Sequence, residues 1–307
     1  MFQILSAAIS NSGQYTSFAT RNGVLTGMNL NTREEIWDAF TREHIMRIIY
    51  SPDDRHIATI HRSELIIRDA VTGKVQEVLY GHEKYIQDVA FVPGSPLVVA
   101  CGTDDATIIH NYYTGELVYS FPAHEYKHMT RVACSPDGKY IAVGGWGYRI
   151  YVYEIAKNFE LLCTLYEYAN YISALLWKGK GLISGGTRGN VYIWDIGSGK
   201  YLKKFKHPEM VTMIHATSEY LVTCSTNVLR VWHLPDDSEP VCISEIRIKD
   251  VYSIGDRGVL CGKEKYTYIQ EIPILNFYKV MSGSIPQISQ KAIHDPRIVY
   301  RISGYIG

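Results

Sequence analysis

No stretch of the sequence approaches the ~18 consecutive apolar residues that a membrane-spanning helix needs, so no helical span through a bilayer is expected. Cysteine is sparse and scattered. The six residues Cys101, Cys134, Cys163, Cys224, Cys242 and Cys261 lie 33, 29, 61, 18 and 19 residues apart, with no CxxC pair. That spacing removes the signature of a zinc knuckle or a dithiol redox motif, and the cysteines read as small core residues in a reducing compartment. Net charge is missing too: 31 Lys and Arg stand against 31 Asp and Glu. No overall field draws the chain to nucleic acid or to an anionic membrane, which leaves only local patches. The apolar opening segment lacks a basic n-region and is not expected to be a signal peptide, and neither end carries a lipidation motif. A sustained 3.6-residue period is also absent. What is plentiful is aromatic mass, 24 Tyr, 8 Phe and 5 Trp, enough to bury a large core and to exclude disorder as the global state.

A length of 307 residues suggests two domains unless one all-β architecture spans it. An internal repeat decides between them. The turn Ser51-Pro52-Asp53-Asp54 recurs as Ser135-Pro136-Asp137-Gly138, with weaker copies starting at Ser10 and Val92, so that the starts lie 41, 41 and 43 residues apart. A second set, Thr72-Gly73-Lys74, Thr114-Gly115-Glu116 and Ser198-Gly199-Lys200, keeps the same clock. Aligning on these turns puts Met28, Arg68, His110, Tyr153, Trp194, Trp232 and Gln270 at one equivalent position, which makes seven units. Segments such as Asn190 to Trp194 and Arg149 to Tyr153 are β-branched and aromatic between Gly-containing turns, the composition of strands. About four short strands fit a forty-residue unit. The expectation is therefore an all-β, seven-bladed β-propeller with four-stranded antiparallel blades over residues 1–281, followed by a tail, 282–307, that packs on the ring or is ordered by a partner.

His-Glu or Gly-His before a strand, Ser-Pro-Asp-Gly, Ser-Gly-Gly, and Val191-Tyr192-Ile193-Trp194-Asp195 with its Ser-Gly turn together resemble WD40 repeats. The resemblance spans almost the whole chain and is best over residues 173–205. Only one unit keeps the Trp-Asp pair in register; the other literal copy, Trp37-Asp38, falls nine residues past Met28 in the next strand. No unit carries the family's full chain of His, Asp, Ser or Thr, and Trp, so the resemblance implies blades that lean on apolar packing. His82, His124 and His207 precede their units' first strands and are expected to cap backbone groups between blades. Residues 272–281 are expected to supply the last outer strand.

Motifs that spell chemistry fail on context. His124-Glu125-Tyr126-Lys127-His128 has the HExxH spelling of a zinc protease, but that chemistry needs both His on one helix, and here the segment follows Pro122 and runs into a β pattern. Gly197 to Lys200 ends like a phosphate-binding loop, yet Tyr201 stands where Ser or Thr must hold magnesium. Gly144-Gly145-Trp146-Gly147 is a turn between strands with no helix after it. Neither a GxSxG elbow nor a carboxylate dyad occurs. No catalytic residue, metal or cofactor is assigned.

What remains is surface recognition. The resemblance implies that one face of the ring carries the turns before each first strand and between each second and third strand. Register places Trp146, Tyr148, Arg188, Arg62, Arg21, Asp104, His124 and His128 there as candidate partner contacts. Trp, Tyr and Arg are hot-spot residue types. Trp146 and Tyr148 lead, because a Gly-flanked turn has little core in which to bury an indole; the alternative is that they fold over a neighbouring blade. The Arg side chains suit an acidic peptide or a phosphate, and the bland alternative for each is a solvated charge. The expected function is a non-catalytic protein-interaction scaffold within a larger cytoplasmic assembly, cytoskeletal or nuclear settings being open. Its partners are other proteins or peptide segments; no membrane, no small-molecule substrate, and no nucleic acid outside a larger complex is expected. Two alternatives differ in class: a metalloenzyme using His124 and His128, and an RNA- or chromatin-associated subunit.

Overall fold

The computed structural model describes residues 4–32, 34–41, 43–121, 128–166, 171–216, 220–234, 239–247, 251–255, 258–263 and 266–270, the last three segments by their backbone. Every sheet is an antiparallel meander numbered from its inner strand outward. The first blade runs Ile4–Ile9, Tyr15–Thr20, Val24–Asn29, Glu34–Phe40, and the second Arg47–Tyr50, His56–His61, Glu64–Asp69, Val75–Leu79. The third runs Ile86–Phe91, Leu97–Gly102, Thr107–Asn111, Leu117–Phe121, and the fourth Met129–Cys134, Tyr140–Gly145, Arg149–Glu154, Glu160–Tyr166. The fifth runs Ile172–Lys178, Gly181–Gly186, Asn190–Asp195, Lys200–Lys206, and the sixth Met213–Ala216, Tyr220–Cys224, Val228–His233, Val241–Arg247.

Six four-stranded blades correct the expected seven. The seventh unit forms a sheet of three strands, Val251–Gly255, Gly258–Lys263 and Tyr266–Gln270, with its inner strand beside that of the first blade. The forty-residue clock counts units, whereas a complete blade also needs an outer strand paired to the third. Among the described residues none pairs with the outer side of Tyr266–Gln270. Residues 272–281, expected to supply that strand, and the tail 282–307 lie outside the described residues.

The repeat position identified by alignment is real in three dimensions. Met28, Arg68, His110, Tyr153, Trp194 and Trp232 each sit in a third strand where the outer strand beside them bulges. The extra residue is Ile36, Gln76, Val118, Leu162, Leu202 or Ile243. A bulge twists the exposed edge and disrupts its ladder, one way to keep a row of unpaired backbone groups from templating aggregation.

The larger apolar clusters pack between blades. One cluster joins Val99, Cys101 and Phe121 of the third blade to Val132, Ile141 and Tyr153 of the fourth, and another joins Ile150 and Leu165 of the fourth to Leu182 and Trp194 of the fifth. Polar links cross the same seams. Trp37 Nε1 donates to the Ala70 carbonyl at 2.9 Å, and Trp177 Nε1 to the Ala133 carbonyl at 3.1 Å. Asp54 accepts from the backbone N–H groups of Asn11 and Ser12 at 2.7 and 2.8 Å. Trp37, out of register with the repeat, therefore locks the first blade to the second.

The interior also holds neutral histidines. His61 is 3% exposed, and its Nε2 lies 3.0 Å from Thr59 Oγ1. Burial, assisted by the Arg68 guanidinium, lowers its pKa to about 4. An unfolded His titrates near 6.5, so between pH 6.5 and 4 the unfolded chain holds a proton that the native one lacks. His61 therefore costs no stability above pH 6.5, and stability falls as pH drops toward 4. Chemical denaturation should give an unfolding free energy about 2 kcal/mol lower at pH 5 than at pH 7 from this residue alone. His61→Gln should make the decline shallower by that amount; an unchanged slope would show that His61 protonates within the native state.

Candidate functional site

The turn between second and third strands must reverse within a few residues, and in the first five blades it uses a left-handed residue, Arg62 and Asp105 serving in the second and third. Gly23 and Gly189 supply it in the first and fifth blades, at φ of +80° and +76°. The fourth blade puts Tyr148 at the same position, at φ +58°. A left-handed non-glycine residue costs roughly 1–2 kcal/mol, and such conformations concentrate at functional sites. Just before it, Gly145 packs so tightly that a Cβ would collide with the His128 carbonyl. Trp146, the next residue, is 55% exposed.

Around this turn four rings meet. Tyr148 stacks on Tyr171, with centroids 4.9 Å apart and planes 9° apart. Trp146 lies 5.9 Å from Tyr171 and 4.9 Å edge-on from His128. The hydrogen bond to Tyr171 raises the Tyr148 hydroxyl pKa, with Arg188 acting against it. Nearby, Arg149 lies over the Tyr166 ring at 5.2 Å, and Lys206 Nζ donates to the Arg188 carbonyl and to Asn190 Oδ1. The result is an exposed aromatic platform on the fourth blade and the entry to the fifth, bordered by cations.

The other candidates stand apart from it. Asp104 is held inside the third blade: its carboxylate lies 2.9 Å from His82 Nδ1 and accepts from the Glu83 N–H at 2.8 Å. Burial raises its pKa, but the His82 ring and the Glu83 and Ala106 N–H groups outweigh that and leave it lowered. His82 thus pairs with a carboxylate of its own unit, whereas His207 Nδ1 meets the Glu209 backbone, its carbonyl at 3.2 Å. Arg21 and Arg62 are exposed on the first and second blades, away from Arg188 on the fifth. His124 lies outside the described residues. His128 has left-handed φ of +69°, its N–H donates to Asp105 Oδ1 at 2.7 Å, and its ring faces the Thr103 carbonyl, so it is not on the helical turn that the HExxH spelling requires. Among the described residues no three metal-binding side chains converge.

Tyr171 and Tyr166, absent from the sequence-derived set, complete the platform. The available signal was register, since Tyr171 immediately precedes the inner strand Ile172–Lys178 and Tyr166 ends the outer strand before it. Met46, Tyr80 and Tyr85, all more than half exposed, occupy corresponding entry loops of the second and third blades.

Comparisons with known proteins agree with this architecture. The family model described as "WD domain, G-beta repeat" matches residues 73–110 and 115–154. Meiotic recombination protein rec14 of Schizosaccharomyces pombe is 30% identical over 115 residues, 37% of this chain and 38% of that protein. Actin-interacting protein 1 of Drosophila melanogaster is 22% identical over 254 residues, 72% of this chain and 40% of that protein. The chain spans less than half the length of these curated relatives. The solved structure of U3-55K superposes with a TM-score of 0.75 at 14% identity, covering 85% of this chain and 88% of that one, a likeness of fold. Residues 73–110 and 115–154 thus match the WD40 repeat, and the array of meandering four-stranded blades gives the chain the β-propeller fold of such repeats.

Proposed function

We propose that the protein is a non-catalytic protein-interaction scaffold in a cytoplasmic or nuclear assembly, and that it holds its partner through the platform of Trp146, Tyr148 and Tyr171 with Arg188 beside it. The observation that carries this reading is Tyr148, an exposed aromatic at a left-handed position that two other blades give to glycine. Strain that folding does not need is supported when the side chain serves another purpose. Trp, Tyr and Arg in one patch are also the residue types that dominate binding energy at interfaces. A protein partner is the class in keeping with a relative named for its interaction with actin. His128 contributes ring contact to Trp146.

The test separates binding from folding. Trp146→Ala combined with Tyr148→Gly removes both rings and relieves the left-handed strain. Partner affinity should weaken by about 2 kcal/mol or more, roughly thirtyfold, with no fall in thermal midpoint. Affinity purification of wild type and variant side by side, with co-purifying chains identified by mass spectrometry, reads the first effect and calorimetry the second. Partners retained at full strength would move the contact to another surface.

A further inference from the structure

The chain is neutral overall, but its charge is not evenly spread. The outer strand of the first blade, Glu34–Phe40, carries Glu34, Glu35 and Asp38 and no cation. The outer strand of the fifth blade, Lys200–Lys206, carries Lys200, Lys203, Lys204 and Lys206 and no anion. The other four complete blades have outer strands whose charges differ by at most one. All three carboxylates of the acidic strand are exposed, and no described residue forms an ion pair with them. Both strands are seven residues long and bulge at their third residue, and both expose apolar surface beside the charges. Ile36 and Phe40 are 39% and 78% exposed, Tyr201 and Leu202 54% and 65%. Blades two to four separate these edges along the chain on one side, so one molecule cannot pair them with each other.

We infer that a second copy of this chain is the partner of these edges: the acidic outer strand of one copy docks against the basic outer strand of the next, head to tail. Charge complementarity gives the contact its orientation, since like edges repel and only unlike edges meet. Ile36 and Phe40 then lie against Tyr201 and Leu202, removing apolar surface that a lone molecule leaves in water. The bulges keep the two edges from zipping into a continuous ladder, so the contact is weak and reversible. Because the two surfaces differ, the contact is heterologous, and each added copy leaves one free edge of each sign.

Sedimentation velocity on the full chain tests this without reference to any other partner. At about 0.02 M salt the weight-average mass should climb above the 34.9 kDa monomer as concentration rises, and about 0.5 M salt should return it to the monomer. Glu34→Lys with Glu35→Lys should abolish the rise, as should Lys200→Glu with Lys204→Glu. An equimolar mixture of the two variants should recover association but stop at one-to-one pairs, because each variant keeps one intact edge. A wild type that stays monomeric at low salt overturns the inference. So does association that persists in high salt, or variants that associate as the wild type does. Should a variant misfold, the salt dependence of the wild type still decides.

Discussion

Asp88→Ala is expected to destabilise the propeller by about 3 kcal/mol, out of proportion to the few atoms removed. Asp88 sits on the inner strand of the third blade, 2% exposed, and its carboxylate reaches both neighbours. Oδ1 lies 2.7 Å from Nε of Arg47 on the second blade, and Oδ2 accepts the Val132 N–H of the fourth at 3.2 Å. Arg131, one residue before Val132, extends the chain of contacts by donating from Nε to the Ser173 carbonyl of the fifth blade at 2.6 Å. Arg47, Asp88 and Arg131 occupy matching register positions, facing Ile60, Cys101 and Gly144 on their second strands. Removing the one carboxylate leaves the Arg47 guanidinium without its partner and the buried Val132 N–H without its acceptor. Denaturant titration reads the loss. Arg47→Met with Asp88→Leu, which removes a pair instead of one partner, should cost markedly less than Asp88→Ala, because no half of that pair stays buried. Equal costs would mean that shape rather than charge fixes this seam.

Trp194→Ala should cost about 3–5 kcal/mol. The indole is 2% exposed within the cluster that joins the fourth and fifth blades, stacked 5.3 Å from Tyr192, and its Nε1 donates to Ser184 Oγ at 2.8 Å. Alanine leaves a cavity at a seam, where collapse is limited because both walls are hydrogen-bonded sheets. Trp194→Phe keeps most of the volume and should lose only about 1–2 kcal/mol, the share of one buried hydrogen bond and a little area. Calorimetric midpoints of the two variants check the ordering. A small loss for alanine would show that the fifth blade contributes little to the cooperative unit.

The equivalence of Trp194 with Trp232 illustrates what repeats disclose. Trp232 Nε1 donates to Thr223 Oγ1 at 2.8 Å, the same third-to-second-strand link that Trp194 makes, and the forty-residue spacing had aligned the two residues. Where the family's Trp is replaced, the position finds other partners: His110 Nε2 meets the Tyr80 carbonyl at 2.9 Å, and Arg68 donates to the Gly73 carbonyl at 3.1 Å. Composition alone would have placed neither substitution in the interior.

The sequence by itself determined the blade: strand order, turn positions, the residue on each third strand, and the turn on which Trp146 and Tyr148 stand. Each of these depends on contacts within about forty residues, where period and turn chemistry act directly. The tertiary structure decided the rest. It decided that, among the described residues, six sheets have four strands and one has three, because a strand is completed by pairing and not by spacing. It paired Asp104 with His82 and so withdrew it from the surface, and it brought Tyr171 from the next unit onto Tyr148. It also set one acidic and one basic edge on blades far apart in the chain. These arrangements join residues of different units, and no local pattern records a contact whose two halves are separately ordinary.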